Sequence, residues 1–300
     1  SYVAHNENRH HYAAIAAEIL YDSAADVVMG AGHPGYDNDG RPVAEADLED
    51  HEKWFAAVGG KCTWKKIRDA VPGADADGDG TPDAWTLIES KQDFEALAQG
   101  TELARVFGLP QVHDTLQQER SGKDDNTCDD APYETPLTET IPSLETMTRG
   151  ALNVLEQDHD GLFLMVEGGA VDWAGHANEL GRMIEEQIDF NRAVEAVVAW
   201  VETDSSWDET LLVITADHEC GYLTGPQGEA EEYVPVENSG EGKLPGGQWN
   251  SKGHTNSLVP FYAKGCAAEQ FRKAARKRDP KRGRYLDNTA VADLVFLAWE

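Results

Sequence analysis

The chain reads as an α/β protein, a three-layer sandwich around a largely parallel sheet, and three observations predict it. Short apolar runs recur at Asp26–Gly30 (DVVMG), Leu162–Val166 (LFLMV) and Thr210–Thr215 (TLLVIT). Runs this short, without polar alternation, fit strands buried on both faces of a parallel sheet. Helical stretches stand between them, the clearest at Met183–Glu202, where Ile184, Ile188, Val194, Val198 and Val201 form one apolar stripe. The third observation is bulk: 300 residues, 40% of them hydrophobic and eight of them tryptophan, can bury a substantial core. Helices alternating with apolar strands select the α/β class.

Taken in order, Arg9–Tyr21 predicts a helix with apolar residues along one side, and Asp26–Gly30 the first strand. From Gly32 to about Ile141 the pattern loosens and Gly, Pro, Asp and Asn cluster. Helical pieces near Trp64–Ala70 and Lys91–Ala98 and an apolar scrap at Leu103–Phe107 interrupt what reads as a long excursion from the sheet. Ser143–Gln157 predicts a helix capped by Ser143, with Glu145 in its first turn. After Thr210–Thr215 a glycine-rich excursion runs from Gly225 to Gly247, and Leu258–Ala263 (LVPFYA) reads as a last short strand. The expected organisation is one domain over residues 1–300 with insertions at about 33–141 and 225–250.

The charge balance excludes several partners. Fifty-five acidic residues face 25 basic ones, a net charge of -30. Such a field repels nucleic acid and anionic membrane, and no apolar run approaches the length of a membrane span. Acidic excess of this size suits a salty medium, which gives the expectation of halophilic behaviour. The run Asp124-Asp125…Asp129-Asp130 reads as a surface loop. The basic cluster from Arg272 to Arg284 reads as a solvated helix face balancing acidic neighbours. Four cysteines, Cys62, Cys128, Cys220 and Cys266, allow three pairings, and the absence of CxxC argues against a cysteine zinc site.

Three stretches carry metal-ligand chemistry. In Leu162–His176 (LFLMVEGGAVDWAGH) an apolar run ends in Glu167, a Gly168-Gly169 turn follows, and Asp172 and His176 stand four residues apart. At i and i+4 they can share one face of a helical turn and close on one ion. In Thr215–Gly221 (TADHECG) a second apolar run ends in the pair Asp217-His218. Neighbours on a strand point apart, so both reach one ion only if the backbone turns there. In Ser251–Asn256 (SKGHTN) His254 lies in a glycine-flanked loop. Taken singly, an Asp-His pair makes ordinary hydrogen bonds and a loop histidine is a surface residue. Together, oxygen and imidazole donors without a thiolate pair suit catalytic zinc or a zinc-magnesium mixture.

These motifs resemble those of bacterial alkaline phosphatases. VEGGAVDWAGH is similar to that family's E-G-G/S-x-x-D-x-x-x-H signature, TADHECGY to its D-H signature and GHTNS to its G-H-T/S signature, in the same order and over nearly the whole chain. The D-x-x-x-H and D-H elements are shared with related phosphodiesterases, sulfatases and mutases; Glu167 in its VEGG setting favours alkaline phosphatase. The resemblance implies one zinc on Asp172, His176 and His254, a second zinc on Asp217 and His218, and a magnesium-type site at Glu167. It also implies that Arg9, four residues after the histidine of Ala4-His5, clamps a phosphate, for which a bidentate guanidinium is well shaped. Trp173 occupies a position that tunes the third metal site in that family. Cys220 is read as a small side chain packed beside the site rather than a ligand.

The implied function is a phosphomonoesterase that hydrolyses phosphate monoesters through a phosphoserine intermediate, with two Zn2+ and one Mg2+. The family's nucleophilic serine and metal-bridging aspartate have no counterpart in these 300 residues, which match its carboxyl-terminal part. The expectation is that the missing amino-terminal part lies elsewhere in the same or a separate chain, and that these residues alone show no turnover. A non-catalytic metal- or phosphate-binding fragment is the alternative. A periplasmic or extracellular site and a homodimer are likewise carried by the resemblance alone.

A separate feature is the acidic loop Asp75, Asp77, Asp79, Thr81 and Asp83, with Gly80 at the sixth position. The spacing is similar to an EF-hand-type calcium loop. Its twelfth position holds Thr86 instead of a bidentate acid, so calcium stands beside a plain solvated acidic turn as the two readings.

Overall fold

The computed structural model describes residues 3–44, 52–70, 72–122, 131–226 and 233–299. The acidic run Asp124–Asp130 and Cys128 lie outside them. The chain forms two compact units, one of Ser1–Asp125, Tyr133–Ala170 and Glu185–Val194, the other of Asn126–Pro132, Val171–Ile184 and Glu195–Glu300.

The first unit is built on a parallel three-stranded sheet of β1 (Val27–Met29), β2 (Thr86–Ile88) and β3 (Val106–Gly108), with β3 in the middle. Val27 and Thr86 flank Val106, Val28 and Leu87 flank Phe107, and Met29 and Ile88 flank Gly108. Successive side chains on a strand face opposite ways, and the two cores follow that rule. Val28, Leu87 and Phe107 pack with Leu20 and Tyr21 of α1 (Tyr12–Asp22), Phe55 and Val58 of a 3-10 turn (Glu52–Val58) and Trp64 and Ile67 of α2 (Lys61–Arg68). Val27, Met29, Ile88 and Val106 pack with Phe94 and Leu97 of α3 (Lys91–Ala98) and Met147 and Val154 of α4 (Leu144–Leu155). Helices therefore cover both faces, giving the three layers within this unit. Gly108 must lack a side chain, because a Cβ there would stand 2.7 Å from Met29 and 2.8 Å from the Phe94 ring.

Two arginines tie the loops of this unit. Arg105 is buried over the Trp85 ring at 3.9 Å and donates to the carbonyls of Ser23, Ala25, Ala74 and Asp83. Burial pushes its guanidinium below the usual arginine value, with Asp83 and Asp26 acting the other way. Arg120 pairs with Glu185 at 2.8 Å, both almost wholly buried, and also donates to Thr135 and Pro136.

In the second unit the ladders are antiparallel: β4 (Leu211–Thr215) with β9 (Phe261–Gly265), β5 (Glu219–Cys220) with β8 (His254–Thr255), β6 (Leu223–Thr224) with β7 (Gln248–Trp249), and β10 (Lys277–Asp279) with β11 (Gly283–Tyr285). The helices α5 (Ala170–Ala177), α7 (Ala268–Ala274) and α8 (Thr289–Trp299) complete it, and the 25-residue α6 (Leu180–Asp204) contributes its two ends.

The structure departs from the sequence reading at several places. Leu162–Val166 belongs to no named strand or helix, and exposure alternates along it, with Phe163 43% and Met165 60% exposed. An apolar run favours a strand, whereas burial on both faces depends on flanking strands. The stretch read as a loose excursion contains β2 and β3, each too short to show a period. The run at Thr210–Thr215 is a half-buried antiparallel strand rather than a parallel one. On α6 the buried positions are Leu180, Gly181, Ala193, Ala196 and Val201 with Arg182 and Glu185, while Ile184 and Ile188 are half-buried. Alanine lets neighbouring backbone approach closely, which a stripe of larger apolar residues does not.

Candidate metal centre

The eight-residue helix α5 carries Asp172 in its first turn and His176 in its last. A carboxylate near a helix N-terminus and an imidazole near its C-terminus both suit the helix dipole. The 3.6-residue repeat brings His176 Nε2 to 3.5 Å from Asp172 Oδ2. His176 Nδ1 lies 2.7 Å from the Lys252 carbonyl. A carbonyl accepts only, so Nδ1 carries the hydrogen and Nε2 faces Asp172, the arrangement that outer partners impose on metal-binding histidines.

The pair β5–β8 brings the third donor. Glu219 stands opposite Thr255 and Cys220 opposite His254. The Glu219 carboxylate accepts from the Tyr222 amide and the Thr255 hydroxyl, which fixes the register. Gly221, at φ 80°, turns the chain out of β5, and a Cβ there would stand 2.5 Å from the Trp249 ring. In this setting His254 Nε2 lies 3.1 Å from Asp172 Oδ1 and 3.0 Å from His176 Nε2.

These spacings test the fit to an ion. Donors about 2.0–2.1 Å from a tetrahedral zinc lie about 3.3 Å from one another. The 3.0 and 3.1 Å that separate His254 Nε2 from His176 Nε2 and Asp172 Oδ1 lie close to that value, and His176 Nε2 stands 3.5 Å from the other Asp172 oxygen. Asp172, His176 and His254 therefore offer a donor set of the chemistry and approximate size for zinc.

Asp217 and His218 occupy a bend between β4 and β5, so the backbone turn that the pair needs is present. Asp217 Oδ2 is 3.3 Å from His218 Nε2, and its side chain is 85% exposed. His218 stacks on His254 with ring centroids 3.5 Å apart, and its Nδ1 lies 4.0 Å from Asp172 Oδ1. That nitrogen is buried and has no hydrogen-bond partner among the described residues. Sequence spacing separated the Asp217-His218 pair from the first cluster; the fold sets them side by side.

Cys220 is half-buried against α5, and its Sγ donates to the Asp172 backbone carbonyl at 3.5 Å. Its sulfur and one donor atom each of Asp172, His176 and His254 lie within 4.8 Å of one another. Burial, followed by the hydrogen bond to Asp172 and that residue's charge, pushes the thiol up to about 12. Sequence reading passed over it as a packing residue; its pairing with His254 across two strands was the missing signal.

Arg9 and Glu167 belong to the other unit. Arg9 is exposed in the turn before α1, and Glu167 is exposed in the segment before α5. Trp173 is 45% exposed. In the acidic loop, carboxylate oxygens of Asp75, Asp77 and Asp83 fall within 4.8 Å of one another, without Asp79. Backbone amides already occupy several: Gly78 and Gly80 on Asp75, Asp79 on Asp77, and Ala76 on Asp83.

The family model described as alkaline phosphatase matches residues 1–243. Alkaline phosphatase 4 of Bacillus subtilis is 42% identical over 212 residues, 52% of this chain and 43% of that protein. Alkaline phosphatase 3 of the same organism is 28% identical over 227 residues, 56% of this chain and 46% of that protein. The chain thus spans somewhat under half the length of these relatives. Among solved structures, a cold-active alkaline phosphatase from a psychrophilic Shewanella matches all of this chain and 71% of its own at TM-score 0.58 and 23% identity. The alkaline phosphatase of the Antarctic bacterium TAB5 matches 90% of this chain and 62% of its own at TM-score 0.55 and 21% identity. At such identities the likeness speaks for the fold, an alkaline phosphatase-like α/β architecture. With the family match covering most of its length, the chain belongs to the alkaline phosphatase family.

Proposed function

We propose that the chain supplies the metal cradle of a zinc- and magnesium-dependent phosphomonoesterase acting on small phosphate monoesters. The observation that carries this reading is the cluster of Asp172, His176 and His254, whose donor chemistry and approximate size fit one zinc. Asp217 and His218 hold the second zinc, supported by the 3.3 Å spacing of Asp217 Oδ2 and His218 Nε2. Glu167 serves a magnesium ion; a variant of the TAB5 enzyme carries Mg in its M3 site. Bound in these places, the ions supply Lewis acidity toward phosphoryl oxygens.

The protein's own groups position and polarise. Lys252 and Asp172 orient the His176 ring, and Glu219 holds the turn that joins His218 to His254. Arg9, exposed and free to present its guanidinium fork, grips two phosphate oxygens. The attacking serine of the phosphoserine route is not among these residues, so the 300 residues alone give no turnover. Phosphate release from p-nitrophenyl phosphate by this chain at the rate of an intact enzyme would overturn that. Metal content tests the cradle: two zinc ions and one magnesium per chain are expected, and loss of one zinc in His254→Ala. A chain that takes up no zinc refutes the reading.

The remaining features follow from family membership. A periplasmic or extracellular site and a homodimer are proposed; no helix among the described residues is long and apolar enough to cross a membrane. A non-catalytic metal- or phosphate-binding role is the second reading. For the loop at Asp75–Asp83, calcium binding is proposed on the convergence of Asp75, Asp77 and Asp83. A rise in Tm with millimolar calcium, lost in Asp77→Ala/Asp79→Ala, is the expected result, and an unchanged Tm refutes it.

A further inference from the structure

Resting on the zinc reading of Asp172, His176 and His254, the geometry points to Cys220 as the fourth ligand of that ion. Four observations converge on it. Cys220 is the cross-strand partner of His254, and opposite residues of an antiparallel pair project to the same face. Its sulfur already shares a cluster within 4.8 Å with the other three donors. Among the described residues its sulfur makes one long hydrogen bond, 3.5 Å to the Asp172 carbonyl, from the residue that supplies another ligand. Finally, α5 has no side chain at Gly175 where the cysteine packs: a Cβ there would stand 3.1 Å from Cys220 Cβ and 3.2 Å from Sγ.

Two ligands spaced i and i+4 on a helix and two facing across a strand pair make a tetrahedral set. A zinc–sulfur bond of about 2.3 Å places sulfur about 3.6 Å from nitrogen ligands at about 2.05 Å. The sulfur has to close by about 1 Å at most, within the reach of a side-chain torsion. On ligation the thiol loses its proton to solvent and the sulfur–metal bond replaces the contact to the Asp172 carbonyl. A thiolate among imidazole and carboxylate donors selects zinc or cobalt and rejects magnesium. Asp172, His176, Cys220 and His254 would then hold the ion with four protein ligands.

Cobalt(II) added to the metal-free protein tests this by absorbance. Expected are visible bands of a four-coordinate site together with an intense near-ultraviolet thiolate-to-cobalt band. Cys220→Ser should still bind cobalt, lose the near-ultraviolet band and bind at least about tenfold more weakly. Visible bands without the near-ultraviolet one in the unsubstituted protein, or survival of that band in Cys220→Ser, overturns the inference and leaves the three-ligand site standing. Absence of any cobalt binding sinks the zinc reading itself. If Cys220→Ser does not fold, alkylation of the unsubstituted protein decides. Saturating cobalt should slow reaction at Cys220 at least about tenfold while the exposed Cys62 and Cys266 react as before. Equal slowing at all three, or none, overturns the inference.

Discussion

Gly175 of α5 and Cys220 of β5 are in contact where an added side chain would be crowded: an alanine Cβ at 175 would lie 3.1 Å from Cys220 Cβ and 3.3 Å from its carbonyl. An alanine here sets crowding against its better helix propensity, and we expect crowding to win. Gly175→Ala should lower stability by about 1–3 kcal/mol through overpacking. Gly175→Ala/Cys220→Gly should regain part of that loss, because the two sites are coupled. Thermal unfolding of the two variants and Cys220→Gly alone closes the cycle; strict additivity would mean the contact carries no strain.

Zinc should stabilise the folded chain by mass action. At a free concentration a hundredfold above Kd the gain is about 2.7 kcal/mol. His254→Ala and Asp172→Ala each remove one of the three donors and should erase most of it. Unfolding with zinc and with a chelator is the measurement, and a zinc response in either variant as large as in the parent would count against the assignment.

Breaking the buried pair of Arg120 and Glu185 strands a charge with almost no access to water. Glu185→Ala should cost about 3–5 kcal/mol. The loss should show in urea unfolding as a lower midpoint with an unchanged slope. A cost below about 1 kcal/mol would mean that the pair behaves as a surface one.

Helix α3 opens with a capping box in which Ser90 accepts from the Asp93 amide and the Asp93 carboxylate accepts from the Ser90 amide. Ser90→Ala should cost about 0.5–2 kcal/mol. The hydrogen bond from the Ser90 hydroxyl is the chief cause that holds Asp93 below its usual 3.8. A lowered carboxylate value means that the folded state favours the charged form. The contribution is therefore complete above the unfolded value and fades as pH falls through the lowered folded one. Stability of Ser90→Ala relative to the parent should accordingly converge as the pH is taken below 3.8. A gap that stays constant down to pH 2 would assign the cost to something other than the ionised box.

How much of this was legible depended on where the information resides. Ser143 capping α4 and the span Lys91–Ala98 were readable because caps and helix periods are local. The i and i+4 spacing of Asp172 and His176 foretold their shared helical face for the same reason. The strands β2 and β3 were hidden, because three residues buried in a parallel ladder carry no pattern of their own. Leu162–Val166 failed in the opposite direction: its composition says buried strand, and the described neighbours do not provide the burial. Glu185 and Cys220 look unremarkable in sequence, since their roles come from Arg120 and His254, which lie 65 and 34 residues away.

The two ends of the acidic loop are clasped independently of what lies between them. Gly73 donates to the Asp83 carbonyl and Asp83 to that of Ala74, while Arg105 grips the carbonyls of both Ala74 and Asp83. Loop-closure entropy rises by only about 0.6 kcal/mol per doubling of length. The segment between Asp75 and Thr81 is thus a grafting site. A ten-residue epitope inserted between Gly78 and Asp79 should leave Tm within about 2 °C of the parent, whereas the same insertion in a chain carrying Arg105→Ala should not. The arginine makes this part of the protein a socket, and the acidic residues are only its present plug.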